Sequence, residues 1–581
     1  MRRSGGDSDA RPSAEASGSA AASGAASVHG GVKETAESLI IAFILAFVFR
    51  AFVVEAFVIP TGSMAPTLYG KHGTIVCRDC GTEFAYGLHD GVVQARHEVS
   101  AQTAAICPNC NHTNTGLKTN DRARNAESGD RILVLKWPFD IGGDLLGPAR
   151  WDVVVFKNPA EPDQNFIKRL AGEPGEVLML MDGDVYTVAT ADLSAAARDA
   201  LDGLRAEKYA LRTGAASGRL SPVPRFVRDE LERKLRIARK TRMAQRSLWF
   251  TVYDHDYPPQ TPDAGQPRWR AGLRSGSGWD TSHRRIRFTD VGRVDDYIEL
   301  VGKPIVSTCA YNVSPHMLRP HGVPVSDMRI RFVLTPEDGA GAVRIRLVKR
   351  DRAFWATLRA DGVVTLSGTR RGAAASTARE LASVRLRRFA AGRPVDVAFE
   401  NVDYRVAVYV DGVEVLATSS DADDPASYRP DVHDVMTTHA RSTSVSPRIY
   451  ASGGAFALSH VVVDRDVYYT NTGFSGDAKG VGAWASAGWG TAGHPILLRD
   501  DEFFMLGDNS AASKDSRLWD KVDDQFRRRG SGFQLGTVPR DQLVGKAFFV
   551  YWPMGHRLPW LPAPLNRIGL IPDVGRMRWI R

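Results

Sequence analysis

The stretch Phe57-Val58-Ile59-Pro60-Thr61-Gly62-Ser63-Met64-Ala65-Pro66-Thr67-Leu68 decides how the chain is read. Pro60 and Gly62 break any helix that arrives from the N-terminal side. They leave Ser63 on an irregular turn directly after the chain's membrane-length apolar segment. Alone, the stretch is equally a helix stop or a site that presents a hydroxyl close to a membrane.

The segment before it carries Leu39 to Phe49, then Arg50, then Ala51 to Val54, and Glu55 ahead of Ala56 to Ile59. The 21 residues from Leu39 to Ile59 suit a hydrocarbon layer of about 30 Å at 1.5 Å per residue. Arg50 and Glu55 suit the exit side, where long polar side chains reach the headgroups. A cleaved signal peptide fits less well, because the apolar run begins near residue 39 and lacks a compact basic start. Residues 1–37 are rich in Ser, Ala and Gly and read as a disordered tail. Residues 38–60 read as an uncleaved anchor, and Arg2, Arg3, Arg11 and Lys33 place the tail inside by the positive-inside rule.

With 581 residues the chain holds several domains, and a 43% hydrophobic content allows large cores. The five cysteines are too few for a disulfide-stapled secreted scaffold. Four of them form Cys77-Arg78-Asp79-Cys80 and Cys107-Pro108-Asn109-Cys110. Two such knuckles predict a structural zinc ribbon over 71–120, with redox pairs or local disulfides as the other readings. His72, His89, His97 and His112 read as surface residues, and Cys309 as a buried small hydrophobe. The net charge of +9 allows anionic partners, and with an anchor present lipid is expected rather than nucleic acid.

Beyond the ribbon the chain turns to strands. Asp130–Trp137 and Trp151–Phe156 are two of them, and Asn165-Phe166-Ile167-Lys168-Arg169-Leu170 is a third. On a two-residue alternation Phe166 and Lys168 share a face. A lysine turned inward loses solvation, its pKa falls, and the neutral amine can take a proton from a serine. Near the other end, Phe503-Phe504-Met505-Leu506 runs into Gly507-Asp508-Asn509-Ser510-Ala511-Ala512-Ser513-Lys514-Asp515-Ser516-Arg517. Asp515 and Arg517 can pair and fix that polar loop. No histidine occurs in these stretches, so a Ser-His-Asp triad has no support.

These pieces, in this order, resemble bacterial type I signal peptidases, also called leader peptidases. The matching stretches are Leu39–Leu68, Asp130–Glu176 and Asp501–Phe549, about a quarter of the chain. The resemblance implies a mainly β catalytic core behind an N-terminal transmembrane helix. It implies a serine endopeptidase that needs no catalytic cofactor and releases exported preproteins at Ala-x-Ala sites. It assigns Ser63 as nucleophile, Lys168 as base and Ser513 as the residue that orients the base. Thr61 and the Ser63 backbone N–H form the oxyanion hole, and Asp515 with Arg517 a structural ion pair. Ile59, Pro60, Met64, Phe166 and Ile167 are candidates for the substrate pocket. The implied location is the inner membrane, single-pass, N-terminus cytoplasmic and catalytic part outside. A non-enzymatic surface adhesion protein and a repressor-type Ser/Lys autoprotease are the competing classes.

The remaining length interrupts this core. The serine segment is 61–70 and the lysine-bearing core 121–190, and a helical insertion at 191–285 follows. Within it Arg225–Arg246 is a basic amphipathic stretch with a net charge of +6 and an apolar stripe at Val227, Leu231, Leu235 and Ala238. It suits either a lipid surface or a core. A β-sandwich is predicted at 286–470 from short strands such as Met328–Val333, Val343–Val348 and Arg405–Val410. The Asp411-Gly412 turn leads to Val413–Leu416. It resembles the laminin-G/concanavalin jelly rolls, which implies a glycan or protein ligand. A linker at 471–494, a core return at 495–556 and a tail at 557–581 complete the organisation.

Overall fold

A computed structural model describes residues 24–87, 105–115, 129–140, 146–213, 217, 220–261, 267–272, 276–289, 296–308, 311, 322–373, 375–419, 421, 424, 426–437, 446–470, 474–475, 483–484, 489–491, 493–519, 521, 523–529, 532–553, 555–557, 560, 562 and 569–580. Cys309, His89 and His97 lie outside them. The chain forms two compact units, Met1–Glu55 and Ala56–Arg581.

The first unit is the helix Gly24–Phe52. Its 19 residues Glu34–Phe52, with mean hydropathy 1.9, are long and apolar enough to cross a membrane. Leu39, Ile40, Ile41, Phe43 and Leu45, which point to different sides, are each more than half exposed, so the helix is apolar all round. Two expectations are corrected here. The helix starts at Gly24, inside the stretch read as a disordered tail, because Ala, Val, Lys and Glu extend a helix once the apolar run has nucleated it. It stops at Phe52 rather than Ile59, and Val54–Val58 is a strand. The β-branched Val53, Val54 and Val58 favour extended backbone there. Arg50 lies in the last turn, where a cation complements the helix dipole.

In the second unit, one antiparallel sheet runs in the order Arg131–Leu135, Leu543–Trp552, Val153–Asn158, Glu161–Gly172, Glu502–Leu506, Val538–Pro539. Its core joins Ile59, Met64, Leu68, Ile132, Val134, Val153, Val155 and Ile167. The ribbon segment leaves and re-enters this sheet at one point. The Asp130 N–H donates to the Tyr69 carbonyl at 2.8 Å, and Ile59 N–H donates to the Asp130 carbonyl at 2.9 Å. The second insertion also closes on itself, since Tyr469 N–H reaches the Gly183 carbonyl at 3.1 Å. Both can therefore interrupt the core without pulling its strands apart.

Helices Ala195–Thr213, Arg225–Lys234 and Arg242–Ser247 open the large insertion. The apolar stripe Val227, Leu231 and Leu235 is fully buried in the main core, so this basic stretch faces protein and not lipid. It is also broken, with Arg236–Ile237 forming a short strand. The sandwich has two sheets. One is ordered Trp279–Asp280, Ile286–Phe288, Phe456–Arg465, Met328–Pro336, Val395–Val402, Arg405–Val410, Val413–Ala417. The other is ordered Arg268–Ala271, Asp296–Val301, Arg448–Ser452, Ala342–Lys349, Arg352–Arg359, Val363–Arg370, Arg379–Arg385. It begins earlier than the predicted residue 286. Phe250–Asp254 already pairs with Phe456–Arg465. That strand alternates weakly, and only its distant partner reveals it.

Candidate active site

Ser63 sits in a single 3-10 turn, Gly62–Met64, because Pro60 forbids helix and Gly62 gives the turn room. The turn is held from below. Met64 and Leu68 are fully buried, and Ala65 N–H closes onto the Gly62 carbonyl at 3.0 Å. It is held from the side by Asn509, whose backbone N–H donates to the Ser63 carbonyl at 3.0 Å. The Asn509 side-chain amide donates to the Gly62 carbonyl at 3.1 Å. Ser63 is 9% exposed.

Lys168 lies in the long strand Glu161–Gly172 and is 4% exposed. Its Nζ is 2.8 Å from Ser63 Oγ and 2.9 Å from the Ile167 carbonyl. The strand alternates as its residues dictate. Ile167 enters the sheet core, while Lys168 Nζ stands 5.3 Å from the Phe166 ring centroid. Burial pushes the Lys168 amine down to about 8, against the opposing pull of Asp515 and then Asp508. Those carboxylates are themselves neutralised. Arg169 donates to Asp508 through Nε and Nη2, both at 2.8 Å, and both side chains are fully buried. Arg517 donates to Asp515 through Nε at 2.8 Å and Nη2 at 2.7 Å. The paired charges let the lysine remain beside two aspartates without being held firmly as an ammonium.

Ser513 is 1% exposed, and its Oγ has no hydrogen-bond partner among the described residues. The contact to Lys168 that would orient the amine is therefore not drawn in this geometry. Gly507 stands between the pieces. A Cβ there would come 2.1 Å from Ser513 Oγ and 2.7 Å from the Ser63 carbonyl, so only glycine fits. Thr61 is exposed at the start of the turn, and Pro60 is exposed beside it. Ile59, Met64 and Ile167 fill the sheet core, while Phe166 is half-buried and edge-on to Phe156 at 6.4 Å. Of the five pocket candidates, only Pro60 and Phe166 keep substantial surface.

The large insertion reaches this loop. Thr470 N–H donates to Ser510 Oγ at 2.9 Å, and Arg517 Nη1 donates to Ser510 Oγ at 2.7 Å and to the Thr470 carbonyl at 2.8 Å. Asn509, Gly507, Arg169 and Asp508 do not stand out in the sequence as parts of the site. The available signal was their adjacency to Lys168 and to the polar loop, which gives no partner.

The four cysteine sulfurs lie within 4.8 Å of one another and are all buried. Cys77–Cys110 and Cys80–Cys107 Sγ distances are both 3.6 Å. A tetrahedron of 2.3 Å metal–sulfur bonds has an edge of about 3.8 Å, so the cluster fits zinc. Asn109 and Asn114 side-chain amides each donate toward a sulfur at 3.7 Å, which favours thiolate. His72 is not a surface residue: it is fully buried, with Nδ1 2.6 Å from the Gly70 carbonyl.

The sheet and its buried pair define a class, mainly β proteins in which a lysine amine touches a serine hydroxyl. The profile of the family described as "Signal peptidase, peptidase S26" matches residues 32–200 and 405–552, and the chain belongs to that family. Signal peptidase I of Rickettsia bellii (strain OSU 85-389) is 27% identical over 157 residues, 26% of this chain and 40% of that protein. Signal peptidase I of Pseudomonas aeruginosa is 29% identical over 145 residues, 25% of this chain and 34% of that protein. The chain thus spans well under half the length of these curated relatives. A solved carbohydrate binding module, CBM66 from Bacillus subtilis, aligns over 35% of this chain and 99% of its own, at 12% identity and a TM-score of 0.22.

Proposed function

We propose that this protein is a membrane-anchored signal peptidase I that removes signal peptides from exported preproteins. The observation that carries the reading is the 2.8 Å approach of the buried Lys168 amine to Ser63 Oγ. A neutral amine accepts the hydroxyl proton as Oγ attacks the scissile carbonyl. The ammonium then returns a proton to the leaving amine, and water hydrolyses the acyl-enzyme with Lys168 again as base. The Ser63 N–H and the Thr61 hydroxyl are the proposed donors to the tetrahedral oxyanion. Ser513, buried and without a hydrogen-bond partner among the described residues, is the proposed orienter of the amine, making its contact when substrate closes over the site. Asp515 with Arg517 holds the loop.

The proposed substrate is an extended segment ending in an Ala-x-Ala motif, with Pro60 and Phe166 at the rim of its pocket and Ile59, Met64 and Ile167 as its floor. The anchor Glu34–Phe52 sets the proposed location in the cell membrane, N-terminus cytoplasmic and catalytic unit outside. No nucleic acid is expected as partner. Cys77, Cys80, Cys107 and Cys110 are proposed to hold one structural zinc that stiffens the ribbon and takes no part in the reaction.

The test is cleavage of a preprotein bearing an Ala-x-Ala site by wild type, Ser63→Ala and Lys168→Ala. Product is expected from wild type alone, with both variants down by about a thousandfold or more. Equal cleavage by all three removes the dyad from the mechanism.

A further inference from the structure

The basic stretch Arg225–Arg246 ends against both halves of the Ser63–Lys168 pair. Its last helix, Arg242–Ser247, is capped by Thr241, whose Oγ1 accepts the Ala244 N–H at 3.2 Å. At the other end the Ser247 carbonyl accepts the Thr67 hydroxyl at 3.0 Å. Thr67 is buried four residues after Ser63, in the turn that Leu68 N–H closes onto the Met64 carbonyl at 2.9 Å. The Ser247 hydroxyl accepts from Arg169 Nη2 at 3.4 Å, and Arg169 follows Lys168 on its strand. One residue of the insertion therefore touches the segment of the serine and the strand of the lysine.

The helix is rooted in the sandwich. Lys240 Nζ pairs with Asp403, between the strands Val395–Val402 and Arg405–Val410, and at 2.9 Å with Asp466, directly after Phe456–Arg465. Gln245 Nε2 donates to Asp466 Oδ1 at 2.7 Å. Lys240, Asp403 and Asp466 have buried side chains, so separating them leaves an uncompensated charge away from water.

A second route runs through Trp151. Its φ is +75°, a left-handed conformation that a bulky residue rarely adopts. Such strain persists where the surroundings over-determine it. Here the indole N–H donates to the Arg239 carbonyl of the insertion at 2.9 Å, and Lys240 Nζ stands 5.6 Å from the ring centroid. The Trp151 backbone serves the lysine strand. Its N–H donates to the Leu170 carbonyl at 2.7 Å, and its carbonyl accepts from Arg169 Nη1 at 2.7 Å.

We propose that Thr67 and Trp151 are positioning residues through which the inserted domain sets the distance between Ser63 Oγ and Lys168 Nζ. The inference rests on the peptidase reading above. Neither side chain is assigned a contact with the reacting atoms. Thr67 ties the serine turn, and Trp151 the lysine strand, to one rigid body rooted in Asp403 and Asp466. Proton transfer demands close placement, and a shift of about 1 Å can cost about a hundredfold in rate. The sandwich is then part of the framework of the peptidase.

The experiment uses the full chain in detergent micelles with a fluorogenic Ala-x-Ala peptide. Thr67→Val keeps the shape and loses the hydroxyl; Trp151→Phe keeps a ring and loses the indole N–H. Each is expected to lower kcat about tenfold with KM unchanged, and Thr67→Ser to restore kcat to within about twofold. Hydrogen exchange is read on the same chains. It should quicken about tenfold across residues 62–68 in Thr67→Val and across 166–172 in Trp151→Phe, and stay unchanged in the strand Met328–Pro336. Wild-type kcat in both variants, a loss confined to KM, or a Thr67→Ser chain as slow as Thr67→Val overturns the proposal. If wild type itself cleaves no such peptide, the signal peptidase reading fails and the exchange rates decide this inference alone. Rates equal to wild type in both segments then overturn it.

Discussion

Lys168 sets a pH dependence that can be worked from its surroundings. Buried beside Ser63, its amine is held down to about 8 from an ordinary value near 10.5. Only the neutral amine can accept the serine proton. At pH 7 about a tenth of the buried lysine is neutral, against roughly 3 in 10,000 for an exposed one, a gain of about 300-fold. The assay is kcat/KM for a fluorogenic Ala-x-Ala peptide from pH 5.5 to 10 at constant ionic strength. It should rise with unit slope, about tenfold from pH 7, and level off above pH 8. The same burial acts on stability. Between about pH 8 and 10.5 the unfolded chain holds a proton on Lys168 that the folded chain has released. Folding therefore gains with rising pH in that window, by about 3 kcal/mol in all, and below it the gain is absent. Lys168→Met cannot titrate, so wild type should gain thermal midpoint relative to it between pH 7 and 10. A flat rate profile through pH 6–9, or an inflection near 10.5, would refute the reasoning, since either means the base is not a desolvated lysine.

Other outcomes follow from the loop around the pair. Asn509→Ala removes the side-chain bond to the Gly62 carbonyl and should lower kcat about tenfold with KM little changed, read from single-turnover kinetics. Gly507→Ala places a Cβ against the Ser63 carbonyl and Ser513 Oγ; it should cost about 1–3 kcal/mol in urea unfolding and abolish cleavage. Ser510→Ala strips Thr470 N–H and Arg517 of a shared acceptor and should cost about 1–3 kcal/mol, while Ser510→Thr restores the loss. Metal analysis should find about one zinc per chain, and chelation should lower the thermal midpoint while leaving the pH profile unmoved; oxidised Cys77 and Cys80 without zinc contradicts the ribbon.

What could be read from residues alone divides by the range of the interaction. Arg405–Val410 ends in the structure where its alternation and the Asp411-Gly412 turn say it should. The alternation put Lys168 on the face of Phe166 and opposite Ile167, but left open whether that face was buried or turned to water. The Arg169–Asp508 pair was not readable, because nothing local tells an arginine which aspartate, more than three hundred positions on, will meet it. Phe250–Asp254 was missed as sandwich for the same reason. The anchor's ends were misjudged because hydropathy measures transfer to lipid and not the backbone preference of Val53, Val54 and Val58. His72 was misplaced because its partner is a backbone carbonyl, which no sequence displays.

The clamp on Ser63 has a consequence in time. Asn509 and Gly62 are 447 positions apart. At about 5–20 residues per second, the ribosome makes the clamp roughly 20–90 s after the serine. Until then Ser63 and Lys168 can both be present without the loop that fixes them. On the proposed reading, the chain therefore holds its serine and lysine well before it holds the loop that fixes them, and competence comes last. A ribosome-bound chain arrested before Gly507 should therefore be inert towards an Ala-x-Ala peptide; cleavage by such a chain would show that the clamp is dispensable.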